Sequence, residues 1–196
     1  MSTTTLFLIR HGQTDWNLAG KLQGHADIPL NATGITQAQR VAQFLKNRQI
    51  SLSALYSSDL QRAHQTAQEI SSLFALDIII SPDLREGHFG KLQGLTKQER
   101  HDLYGPLKDE ELSEKVGAEP RDQVIARVMN YLLAIAQKHK GQHIAVVTHG
   151  GVLGSLIAHL GHTVYELPAL TNESITTFTW HADRQIFVFE SIEHAE

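Results

Sequence analysis

Residues 5–10 carry Leu6, Phe7, Leu8 and Ile9 in one run that ends at Gly12, too short for a helix and apolar enough for a buried strand. From 33 to 48 the period changes. Ile35, Ala38, Val41, Ala42 and Leu45 recur at helical spacing, with Asn31 or Thr33 to cap the start and Lys46 and Arg48 at the far end. Residues 52–57 predict a second strand. Asp59 is then placed to cap a helix over 60–74, whose apolar stripe is Leu60, Ala63, Ala67, Ile70 and Phe74. A third strand over 76–80 is closed by Ser81-Pro82-Asp83, since proline cannot continue a central ladder.

Between 84 and 120 the pattern dissolves into glycines and charges, with one small capping box from Thr96 to Glu99. This reads as a lid-like insertion carrying a short helix over the rim of the domain. Regular structure returns with a helix over 121–138, a strand over 143–147 that runs into His149-Gly150-Gly151, and an apolar helix over 152–160 capped by Gly161. Residues 174–180 and 185–192 alternate apolar with polar on either side of His181-Ala182-Asp183-Arg184, as a hairpin does. Strands alternating with helices predict an α/β fold. The sheet is expected to be mostly parallel, covered on both faces as an α/β/α sandwich of three layers, with an antiparallel C-terminal hairpin at its edge.

At 196 residues the chain is expected to fold as a single domain, 1–196, with the one insertion. It has 17 basic and 21 acidic side chains and no basic run, which argues against a nucleic-acid partner. Cysteine is absent, so disulfides, thiolate metal sites and a cysteine nucleophile are all excluded. The first five residues lack a basic leader and the run 6–9 is far too short to span a membrane, so a cytoplasmic location without membrane association is expected. Twelve histidines remain to be explained, most of them as surface or packing residues.

In open parallel sheets ligand groups collect beyond the carboxyl ends of the strands. Two of those exits carry histidine: Arg10-His11-Gly12 and Thr148-His149-Gly150-Gly151. The flanking glycines allow close approach and leave amide N–H groups free. Arg62 falls in the first turn of the helix over 60–74, off its apolar stripe, and is expected to point outward where an anion is favoured. Two arginines offer planar donors to phosphate oxygens, and two histidines offer nucleophilic or donating nitrogens. Glu86, just past the third strand, can supply a proton to a leaving oxygen. Cationic neighbours should keep His11 neutral.

Taken in order, Arg10-His11-Gly12, Asn17, Ser57-Ser58-Asp59-Leu60-Gln61-Arg62-Ala63, Glu86 and His149-Gly150-Gly151 resemble the histidine phosphatase superfamily, in its phosphoglycerate mutase-like branch. The resemblance runs from about residue 7 to residue 178. It implies that His11 accepts the phosphoryl group covalently, that Arg10, Arg62 and His149 hold it, and that Glu86 is proton donor and then base. Asn17, Gln23, Gly24 and the Gly150 amide would add contacts to the substrate. The family implies catalysis with neither metal nor cofactor.

Each residue also has a plainer reading. A lone histidine at a strand end is more often structural, and Arg62 and Glu86 alone would be solvated surface groups. Asn17 can cap the loop after Trp16. Asp83, Glu99 and the acids from Asp109 to Glu114 compete with Glu86, while His25, His88 and His101 fit the rim or surface. Asp109-Glu110-Glu111 reads as a solvated face.

Hydrolase and mutase differ in whether water or a bound hydroxyl takes the phosphoryl group. Residues 95–119 hold four basic side chains, Lys97, Arg100, Lys108 and Lys115, against seven acidic ones, a poor funnel for a doubly anionic substrate. Gln13-Thr14-Asp15 also departs from the mutase pattern. A phosphatase acting on a small phosphorylated metabolite is therefore favoured over a cofactor-dependent phosphoglycerate mutase. A non-catalytic phosphate-binding or docking domain ranks third, since His11 is present with its partners, and metal-dependent hydrolysis fourth. Substrate identity and oligomeric state have no signature in the chain.

Overall fold

The computed structural model describes residues 3–195, apart from the side chains of Asp109 and Glu110. Strands β1 (Thr3–Arg10), β2 (Leu52–Ser58), β3 (Ile78–Ser81), β4 (His143–Thr148), β5 (Ser174–His181) and β6 (Ile186–His194) form one sheet in the order β3-β2-β4-β1-β5-β6. The ladders β1/β4, β2/β4 and β2/β3 are parallel, while β5 runs antiparallel to β1 and β6 antiparallel to β5. The expected parallel sheet with its antiparallel edge hairpin is the one found.

Period-two alternation sends the strands' side chains into two cores. Leu6, Leu8, Tyr56, Ile144 and Val146 pack with the helices α6 (Arg121–Lys138) and α7 (Gly150–His159). Ile9, Leu55, Ala145 and Val147 pack on the other face with α2 (Ala32–Asn47) and α3 (Gln61–Phe74). Both faces of the central strands are buried, which is why their sequence reads as unbroken apolar runs.

Most helix ends follow their expected signals. Asn31 caps α2 by accepting the Gly34 amide at 2.9 Å, and Gly161 follows α7 with φ of 88°. Asp59 does not cap α3. Leu60 occupies that position without a side-chain bond, and Asp59 instead forks onto Arg85 at 2.7 and 2.6 Å. An ion pair with a planar guanidinium outcompetes a single cap bond. The third strand begins two residues later than expected, at Ile78, because α3 runs to a left-handed cap at Ala75.

Among the described residues the remaining helices are three short α-helices, α1 (Asp15–Leu18), α4 (Lys97–Tyr104) and α5 (Asp109–Val116), and three single 3-10 turns. The Thr96/Glu99 capping box opens α4 as expected, but α1 and α5 have no counterpart in the sequence reading. Residues 84–120 thus carry two helices rather than one. Their apolar residues form a small third core of Leu92, Val116 and Ala118 with Leu22, Phe89 and Leu112. Of the acidic stretch expected to be solvated, Glu111 pairs with Lys115, and the side chains of Asp109 and Glu110 lie outside the described residues, as do Met1 and Ser2.

Candidate active site

Strands β1 and β4 are neighbours with Arg10 opposite Thr148, so the chain leaves both of them at a histidine. The rings of His11 and His149 are 5.2 Å apart, and both residues are buried. Nδ1 of His11 donates to the Gly12 carbonyl at 2.7 Å. A carbonyl can only accept, so the neutral ring carries its proton on Nδ1 and its lone pair on Nε2. His149 bonds through Nε2 to the Ser58 hydroxyl at 2.9 Å, which ties the exit of β4 to that of β2.

Both imidazoles are held well below the ordinary histidine range, first by burial and then by the Arg62 guanidinium; Arg10 adds to the effect in each case, and the Gly12 carbonyl opposes it at His11. Cations do keep His11 neutral, as expected, but burial is the larger cause.

Arg62 does not point outward. It is 1% exposed, because the turn after Gln23 folds over it and takes its guanidinium on the carbonyls of Gly24 and Ala26, each at 2.8 Å. Burial pushes it down to about 10, so it remains a cation at neutral pH. Arg10 is lowered by burial and raised in part by Glu86. Its Nη1 donates to the Leu170 carbonyl. Among the described residues, Nε of Arg10, Nε of Arg62 and Nδ1 of His149 are buried without a hydrogen-bond partner. The two guanidinium donors suit an anion, and so does His149 in the tautomer that carries its proton on Nδ1.

Glu86 follows β3 and a 3-10 turn, Pro82–Leu84. Its carboxylate accepts the amides of Gly151 at 2.9 Å and Gly87 at 3.1 Å. The two glycines after His149 make room for this arrangement. A Cβ on Gly150 would stand 3.0 Å from Arg10 Nε, and one on Gly151 2.6 Å from a Glu86 carboxylate oxygen.

The backbone under Glu86 is clamped by residues that the sequence reading passed over. Arg127, on α6, donates to the carbonyls of Asp83 and Arg85 at 2.8 Å and of Glu86 at 3.0 Å, and forks onto Glu119 at 2.8 and 2.9 Å. His25 adds a bond to the Glu86 carbonyl at 2.8 Å. Asn172 donates to the His11 carbonyl at 2.8 Å. Only its place in an unpatterned turn before β5 marked it.

A cavity of about 270 Å³ collects Arg10, His11, Asn17, Gln23, Gly24, Arg62, Glu86 and Gly150 on one wall system, with Lys21, Leu22, Phe89, Gly151 and Leu170. Every expected residue lines it except His149, whose fully buried ring stands beside that of His11 at 5.2 Å. Asn17 also closes a capping box with Thr14, whose hydroxyl donates to Gln23 at 2.8 Å, so its plainer reading as a local cap is met while its side chain lines the cavity. Three of the rival acids are engaged elsewhere, Glu99 with the Thr96 amide, Asp83 near Ser81 and Glu111 with Lys115, while the side chains of Asp109 and Glu110 lie outside the described residues. His25 and His88 stack edge to face beside the cavity, and His101 is exposed. Among the described residues no group of three or more His, Asp or Glu side chains is placed to hold a metal ion, and no helix is long and apolar enough to cross a membrane.

A profile of the histidine phosphatase superfamily (branch 1) matches residues 6–192. The chain is 38% identical to phosphoglycerate mutase-like protein 4 of Arabidopsis thaliana, over 97% of this chain and 86% of that one. It is 41% identical to the metal-independent phosphoserine phosphatase of the same plant, over 78% and 67%. Among solved structures, YhfR of Bacillus stearothermophilus superposes with a TM-score of 0.85 at 28% identity, covering 98% of this chain and 100% of that one.

Proposed function

Because the chain belongs to the histidine phosphatase superfamily, branch 1, enzymes that act on small phosphomonoesters through a phosphohistidine, we propose that it is a phosphatase whose nucleophile is Nε2 of His11. The observation that carries this is the bond from His11 Nδ1 to the Gly12 carbonyl, beside Arg10, Arg62 and Glu86 on one cavity wall.

Arg10, Arg62 and His149 hold the phosphoryl oxygens, with Asn17, Gln23, Gly24 and the Gly150 amide around them. The Nε2 lone pair attacks phosphorus as the bond to the ester oxygen breaks, and Glu86 delivers its proton to that oxygen. The alcohol leaves. Glu86, now a carboxylate, takes a proton from water while the water oxygen attacks phosphorus and the P–N bond breaks. Inorganic phosphate leaves, and the ring returns to its neutral form with its proton on Nδ1. No step requires a metal or a cofactor.

Water rather than a sugar-acid hydroxyl is the acceptor in this reading. Among the described residues the cavity wall carries one cation besides the two arginines at His11, namely Lys21, and the segment beyond is net acidic. The segment 84–120 acts as a lid over a cytoplasmic phosphorylated metabolite, since Glu86 and Phe89 come from it and Leu22 is bonded to Leu95 across the opening.

The test is release of phosphate from p-nitrophenyl phosphate in the presence of a chelator, lost in His11→Ala, with no interconversion of phosphoglycerates when a bisphosphorylated primer is supplied. Unchanged turnover in His11→Ala would overturn the nucleophile. Efficient isomerisation would make the protein a mutase.

A further inference from the structure

The space at His11 continues past Glu86. A second cavity of about 240 Å³ shares Glu86, Phe89 and Gly151 with the first, and is closed by Leu112, Ala118 and Val124 from α5, the turn after it and the first turn of α6. Its wall is built rather than incidental. Phe89, Leu112 and Ala118 belong to the small third core, and Val124 is anchored in the main one.

The polar groups Glu119, Arg121 and Ser155 at its border already have protein partners. Glu119 is forked by Arg127 at 2.8 and 2.9 Å, and Arg121 donates to the Ser155 hydroxyl at 3.2 Å. What the cavity offers a guest is an apolar wall. A cavity of about 150 Å³ lined by aliphatic and aromatic side chains already takes up benzene, so this one has room for a ring and a short linker.

We propose that this second cavity is the leaving-group subsite and that it selects phosphomonoesters of alcohols with an apolar, ring-sized body over small polyanionic esters. The inference rests on the phosphatase reading above. Glu86 stands at the junction, so an ester oxygen protonated there has its phosphorus on the His11 side and its carbon on the Leu112 side. The alcohol enters an environment that rewards removal of apolar surface from water and offers a charged group little in exchange for its hydration.

The experiment compares kcat/KM for ethyl phosphate, 2-phenylethyl phosphate and phosphoserine, aliphatic esters whose alcohols differ far less in acidity than aryl esters would. Native protein should favour 2-phenylethyl phosphate by about tenfold or more over the other two. Ser155→Phe and, separately, Val124→Phe reduce the space, and each should bring the ratio of 2-phenylethyl to ethyl phosphate toward one. A native ratio near one, a preference for phosphoserine, or a ratio that survives both substitutions would overturn the subsite. Phosphate released from none of the three esters while p-nitrophenyl phosphate is still hydrolysed would overturn the subsite alone, and failure on p-nitrophenyl phosphate as well would overturn the phosphatase reading with it.

Discussion

His11 owes its usefulness to two neighbours of different kinds: a carbonyl that settles which nitrogen is free, and a buried setting that keeps the ring neutral. Glu86 depends in the same way on what is missing from Gly151. An alanine there would place a methyl 2.6 Å from the carboxylate oxygen Oε1, which accepts the Gly87 amide, and 3.0 Å from Oε2, which accepts the amide of residue 151 itself. Gly151→Ala is therefore expected to displace the proposed proton donor and lower kcat/KM for alkyl phosphates, which stops short of dephosphorylation, by about 10² or more. For p-nitrophenyl phosphate, whose leaving group departs without a proton, kcat/KM should fall much less. Equal losses on both esters would mean that the methyl acts on the whole site.

At this scale much was legible. Histidine beside glycine at two strand exits is a pattern that local sequence contains. Arg62 was found but misdirected, because its burial comes from the turn at Gly24 to Ala26, which no helical wheel includes. Arg127 and Asn172 were not found at all. Each acts on backbone atoms far along the chain, and an arginine on a helix face or an asparagine in a turn carries no mark of that.

Among the elements, α6 matches its expected span at both ends, since eighteen residues of regular period leave little freedom. The helices α1 and α5 are short, and α5 buries its apolar side against a local cluster that only the folded segment creates. The link between α6 and the segment carrying Glu86 is Arg127. Removing it takes this partner from the Asp83 and Arg85 carbonyls, leaves the Glu86 carbonyl to His25, and leaves the Glu119 carboxylate to the His88 amide. Arg127→Ala should speed amide exchange at Gly87 and His88 and lower kcat with little change in KM. Arg127→Lys should recover little of this, because a point charge cannot serve both the carbonyls and the carboxylate. Exchange rates that stay native in the alanine variant would free the helix of this role.

For the molecule as a whole, the two neutral histidines set a term in the acid dependence of stability. In the folded protein both imidazoles resist protonation well below the ordinary range, whereas the unfolded chain takes up those protons near pH 6.5. The unfolded state then binds more protons as the pH falls below about 6.5, so stability is lost on the way down. The slope is about 1.4 kcal/mol per pH unit for each ring. Urea midpoints between neutral pH and about pH 5.5 should follow this fall, and His149→Gln should make it shallower. A midpoint that rises on acidification would contradict the assignment of two buried neutral rings.

The sandwich itself was readable because its strands are either buried on both faces or alternate cleanly, and each periodicity survives without tertiary information. Strand order was not. Nothing in residues 3–10 says that their neighbours on either side are β4 and β5.

That placement has a consequence for synthesis. The chain is made from its N-terminus at roughly 5–20 residues per second, and β1 is finished long before β4 and β5, the two strands it lies between, exist. Until β4 arrives, an apolar run that ends in the proposed nucleophile has no partner along either edge, and its other edge stays open until β5 follows. The emerging polypeptide must keep that strand from pairing wrongly, and the protein cannot turn over an ester while still attached to the ribosome at mid-length. The two histidines come together only when β4 takes its place beside β1.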